Sequence, residues 1–348
     1  MRCLSALLGV LLLLAGCATA PVDRPAAISQ QDLEQHAALR SIVVDPLIAE
    51  RILAMNPDRV TDADVRTALA KGPTPRIINV HGGIYPVHLV MESFARFLVG
   101  MGYPEAKIRH PGDGRLSYSP YESSAQIAGT LAWYYEHEAA MPMMVGHSQG
   151  GIQAVKVLYE LDGAYGDRIQ VWSPMTESAE ERVTIVDPFT AKPRPVLGLT
   201  IGYVSVVGAG GLALFLPNQW SMANKLRAIP DTVEEFTGYS IGVDIIALDF
   251  SNPASDFKAN GTAQVRNVQL PASYSHVTVA VTSHLARDRA MREWLNAYRP
   301  GEVNGEPAGQ GSTDNALWAA DVWFSIKRHW VLEAQKVIRE QRALAAKQ

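Results

Sequence analysis

Met141-Pro142-Met143-Met144-Val145-Gly146-His147-Ser148-Gln149-Gly150-Gly151-Ile152-Gln153-Ala154-Val155 is the stretch on which the reading of the chain turns. An apolar run with the character of a buried strand leads into the pentapeptide Gly146–Gly150, of the form G-x-S-x-G, and a helical pattern follows it. Such a turn from buried strand to helix holds its serine in strained backbone geometry with Oγ exposed, and the flanking glycines let strand and helix pass without a Cβ clash. Ser148 is therefore the candidate nucleophile.

Upstream, Arg76-Ile77-Ile78-Asn79-Val80 reads as a second buried strand running into His81-Gly82-Gly83. The two motifs, in this order, resemble those of the α/β-hydrolases. That resemblance implies a mostly parallel sheet flanked by helices, with an oxyanion held by two backbone N–H groups, one after the nucleophile and one from the earlier glycine loop. By position these are Gln149 and Gly83.

In the same family an acid and then a histidine follow the serine along the chain. Asp244 to Phe250 is a strand candidate, followed by the loop Ser251 to Asp256; Val265 to Leu270 is the next strand, followed by Pro271 to His276. This arrangement is similar to small bacterial α/β-hydrolase lipases, and the resemblance places the acid at Asp256 and the base at His276. His284, at the start of a helical stretch, is a rival base, and Asp249 a rival acid, although an aspartate inside a strand would bury a charge. No His/Asp/Glu spacing suggests a metal site, and the expected chemistry needs no cofactor.

Around these motifs strand and helix signals alternate, which argues for a parallel sheet covered on both faces. Helices are expected over Val87–Gly102, Ser123–Ala139 and Gly150–Leu161, with strands at Ala106–His110 and Met143–Val145. The catalytic domain is expected over 73–300. From about 172 to 243 prolines break the rhythm, and Ile201 to Leu216 is almost wholly apolar; the resemblance to hydrolases that carry a cap or lid after the nucleophile helix implies such an insertion here, the alternatives being a core helix, a membrane-dipping segment or a transmembrane helix. Residues 30–72 read as short packing helices, 301–313 as a linker and 314–348 as a C-terminal helix.

The N-terminus reads as an address. Arg2 precedes an apolar stretch from Leu4 to Ala15, too short for a membrane span, and Leu14-Ala15-Gly16-Cys17 resembles the lipobox of bacterial lipoproteins. The expectation is a signal peptide over 1–16, a lipidated Cys17, a tether over 17–29 and an outer-membrane lipoprotein facing the periplasm. Cys3 would leave with the signal, so the mature chain would have no pair of thiols for a disulfide. A net charge of −4 across 348 residues is mild and mixed in sign, and suggests no nucleic-acid partner. The expected partners are a small-molecule or lipid ester and, through Cys17, a membrane. The expected activity is ester hydrolysis through an acyl-enzyme on Ser148; acyl transfer by the same residues, or a non-catalytic envelope lipoprotein with this fold, are the alternatives.

Overall fold

The computed structural model describes residues 36–347 except 84, 243 and 248–254, with backbone alone at 85 and 86. Cys17, the signal and the tether lie outside the described residues, as does Asp249. Five strands, β1 (Ile77–Val80), β2 (Met143–His147), β3 (Ile201–Val207), β4 (Val233–Ile241) and β5 (Gln264–Leu270), form one parallel sheet in the order β1-β2-β3-β4-β5. The protein thus has an α/β architecture built on a parallel sheet with flanking helices.

Eight α-helices lie among the described residues: α1 (Ala37–Ser41), α2 (Pro46–Leu53), α3 (Asp62–Thr67), α4 (Tyr85–Gly100), α5 (Ser124–Glu138), α6 (Gln149–Leu161), α7 (Arg289–Ala297) and α8 (Ala316–Ala345). Successive side chains of a strand point to opposite faces, and over β1, β2 and β3 both faces are dry. Ile77, Met143, Val145 and Tyr203 pack with α4 and α8, whereas Ile78, Met144 and Val204 pack with α5 and α6. Each fully buried side chain of this size contributes roughly 1.5–3 kcal/mol over leaving it in water.

This two-sided burial explains where the sheet departs from expectation. Ile201–Val207, read as part of a cap, is the central strand β3, and all seven of its residues are buried. A strand covered on both faces loses the apolar–polar alternation that would mark it. Val233–Ile241, also placed in the insertion, is β4. Between them two short 3-10 turns, Gly211–Phe215 and Pro217–Met222, lie on the outside of α6, and two small antiparallel ribbons precede β3. Ala106–His110 is no strand: Pro104 caps a 3-10 turn over Glu105–Lys107, two of whose three residues are exposed. At Asp244 the expected strand is a turn running through Ala247.

The C-terminal helix α8 is part of the core. Trp318, Trp323 and Trp330 are fully buried on it, against Phe94, Phe97 and Tyr103. Arg266 on β5 makes a two-pronged ion pair with the buried Asp321 of α8, at 2.6 and 3.0 Å, and the hydroxyls of Tyr239 and Tyr298 donate to the same carboxylate. Sheet and helix are fastened at that point.

Candidate active site

Ser148 stands between the end of β2 and the start of α6 with φ 57° and ψ −126°. A non-glycine residue at positive φ is strained, and the surrounding backbone must hold it there. Ser148 N–H donates to the carbonyl of Val207 at 2.8 Å, which ties the turn to β3. The glycines are required by crowding. A Cβ on Gly146 would meet Gly150 O at 2.5 Å and Gly151 Cα at 2.7 Å, and one on Gly150 would run into the carbonyls of Val80 and His81.

The serine hydroxyl faces His276. Ser148 Oγ and His276 Nε2 are 2.9 Å apart, and His276 Nδ1 lies 2.6 Å from Asp244 Oδ2. His276 is supplied by the turn after β5 and Asp244 by the turn after β4, so β2, β4 and β5 of one sheet deliver the three groups at their carboxyl ends, where open parallel sheets place their sites. Histidine and aspartate are almost fully covered, and the serine is half-buried. The second oxygen of Asp244 accepts from the N–H groups of Ile246 at 3.0 Å and Ala247 at 2.9 Å. Those bonds hold the carboxylate in one orientation.

Asp256 does not occupy this place. It is exposed, two positions before the short strand Lys258–Ala259, and the carboxylate at His276 belongs to Asp244. The acid does follow a strand by a few residues, but that strand is Val233–Ile241, which the sequence pattern assigns to the cap insertion. His284 lies apart from Ser148, in a pocket lined with Ser273, Thr278, Ser312 and Asp314. Burial lowers its pKa, and its Nε2 is buried with no hydrogen-bond partner.

Gly83 and Gln149 are brought together. Gly83 is packed so closely on the Gln149 side chain that a Cβ would collide with Oε1, and Tyr121 OH donates to the Gly83 carbonyl at 3.0 Å. A Cβ on Gly82 would stand 3.1 Å from Ser148 Cβ, so the glycine loop runs directly beside the serine. Gln149 opens α6, whose positive end points toward this spot.

His147 is a site residue whose role the sequence did not disclose. It is completely buried, and burial, with the adjacent His276 ring second, pushes its pKa down to about 3. Its Nε2 meets the main-chain carbonyl of His276 at 2.7 Å.

One group among the described residues, His110, Asp113 and Glu177, has ligand atoms close enough together to contact a cation. Arg115 already stands among them, 2.8 Å from Asp113 and 3.6 Å from Glu177, and its fixed positive charge fills that role.

No protein-family model and no curated protein matches this chain. A solved structure of RedJ with a PEG molecule bound in the active site is similar to it at 15% identity and a TM-score of 0.30, covering 63% of this chain and 91% of that one.

Proposed function

We propose that the protein is a serine hydrolase of the α/β-hydrolase type that cleaves carboxylic esters. The observation that carries this reading is the unbroken contact from Ser148 Oγ through His276 to Asp244, with the serine held at positive φ between strand and helix. A serine hydroxyl is a weak nucleophile near neutral pH. His276 Nε2 takes its proton as Oγ attacks the ester carbonyl, while Asp244 fixes the proton on Nδ1 and stabilises the imidazolium. The tetrahedral oxyanion is held by the main-chain N–H groups of Gly83 and Gln149. Its collapse expels the alcohol, which receives the proton from His276, and water then repeats the sequence to release the acid and restore Ser148.

An apolar substrate portion is favoured by the surroundings. A pocket of ≈ 520 Å³ lies between the two 3-10 turns and the Asp244 turn, lined by Leu214, Phe215, Trp220, Leu226, Arg227 and Ala247. Phe215 and Trp220 in its lining are exposed, large apolar side chains in contact with water. Neither this pocket nor a larger cavity of ≈ 700 Å³ near Trp172 and Arg182 is lined by a triad residue, but the smaller one includes Ala247, whose N–H holds Asp244. Among the described residues no helix is long and apolar enough to cross a membrane. Attachment to the outer membrane, facing the periplasm, would come through a lipidated Cys17, for which the Leu14-Ala15-Gly16-Cys17 motif is the support; in that case Cys17→Ser releases an active protein from the membrane fraction, and a parent protein already in the aqueous phase would refute the anchor.

A fluorophosphonate probe tests the central reading, because only an activated serine reacts. Labelling of the parent and none of Ser148→Ala is expected, with ester turnover in the variant lower by on the order of 10⁴-fold or more. An unlabelled parent would make the protein a non-catalytic relative. Acyl transfer shares the acyl-enzyme, and product analysis with an added alcohol distinguishes it from hydrolysis.

A further inference from the structure

We infer that His147 is a positioning residue, which sets the main chain of the His276 loop by donating a hydrogen bond from its ring. This inference rests on the proposed triad. A carbonyl oxygen only accepts, so the 2.7 Å contact with His276 O puts a proton on His147 Nε2. His147 Nδ1 is buried without a hydrogen-bond partner. Desolvation keeps the ring neutral, so it carries one proton, and that proton is committed to the His276 carbonyl.

The position of this donor matters more than its strength. His276 lies in an irregular turn, and its side chain alone is tied down by Asp244 and Ser148. Two side-chain contacts leave the ring free to slide with its own backbone. His147 removes that freedom by fastening the His276 carbonyl to β2, whose last residue it is and whose next residue is Ser148 itself. One strand end thereby governs both sides of the Oγ–Nε2 contact. The two histidine rings stand 5.3 Å apart at 43°. A charged His147 would oppose the imidazolium that forms during acyl transfer, and a neutral donor does not.

The test compares His147→Gln, which keeps an N–H at similar reach, with His147→Met, of similar length but without a donor. Three quantities are read on the full chain: kcat and KM for p-nitrophenyl butyrate, the rate of fluorophosphonate labelling, and the downfield Nδ1–H resonance of His276 by NMR. The methionine variant is expected to lose on the order of 10²-fold in kcat and labelling rate, with KM and melting temperature nearly unchanged and the His276 resonance shifted or broadened. The glutamine variant should recover most of the rate. His147→Asn, whose amide stops short of the carbonyl, replaces methionine if that variant does not fold. Equal impairment of the glutamine and methionine variants would reduce His147 to a packing residue, and parental rates in both would also overturn the inference. A parent inert to the probe, with a His276 resonance that still moves in the methionine variant, would remove the hydrolase reading and uphold the placement.

Discussion

Gly208 lies against the imidazole ring of His276: a Cβ on it would come within 2.9 Å of both Cε1 and Nδ1. The residue directly follows β3, has φ 62°, and donates its N–H to Tyr239 O at 3.2 Å, so the end of the central strand forms a support beneath the ring.

Gly208→Ala should therefore displace the base more than it harms the fold. The left-handed backbone costs an alanine about 1 kcal/mol, and a displaced imidazole lowers kcat by on the order of 10²-fold with KM little changed. Steady-state kinetics beside a melting curve check this; parental kcat would show that the ring does not depend on the support.

The two aspartates separate cleanly. Asp244→Asn removes the charge that orients His276 and should lower kcat by on the order of 10⁴-fold, whereas Asp256→Asn should leave turnover at the parental level. Full activity in Asp244→Asn would remove it from the mechanism.

For the histidines, probe labelling decides. His276→Ala should abolish labelling of Ser148, and His284→Ala should leave the serine reactive, since only the base activates Oγ. The reverse pattern would transfer the role to His284.

Stability should fall in acid through His147. Its pKa is about 3 in the folded protein, and near 6.5 once the ring is released to water. The unfolded chain thus binds the extra proton first: the contribution is complete above about pH 6.5 and is lost progressively as pH falls toward 3. The groups facing the ring are His276, Asp244 and His81. His81, His110 and His284 are shifted downward too, chiefly by burial, so they act in the same direction. Urea midpoints across this range should fall less steeply in His147→Gln than in the parent; identical slopes would refute the assignment.

Asp321→Asn should destabilise the protein by about 3 kcal/mol, because it leaves Arg266 without its counter-charge. The Arg266 side chain is 30% exposed, so water relieves part of the loss and holds the effect to the low end of the range for buried pairs. Equilibrium denaturation measures it, and a change within the scatter of surface substitutions would show that the pair does not fasten β5 to α8.

What was legible in the sequence was local. The serine turn announces itself because strand, glycines and helix are contiguous, and His276 was readable because it follows β5 within a few residues. Asp244 was not, because recognising it requires the end of β4, and Val233–Ile241 carries Glu234, Glu235, Thr237 and Ser240, which disguise a strand whose Glu235 is held by Arg328 and His329. β3 was hidden for the opposite reason, being apolar apart from Ser205. The hydrogen bond from His147 joins residues 129 positions apart, and no spacing rule reaches that far.

The clasp made by α8 also sets an order of events during synthesis. Trp330 Nε1 donates to Pro73 O, Lys327 Nζ to Val60 O and Gln335 Nε2 to Ile52 O, so the last helix is bonded to the segment that precedes the first strand. A nascent chain presents its serine turn long before α8 exists to cover one face of the sheet. Until α8 is made, that face of the sheet lacks the side chains of Trp318, Trp323 and Trp330 that bury it. An interruption between His276 and α8 would therefore yield a chain with Ser148, Asp244 and His276 all present and no closed core to align them.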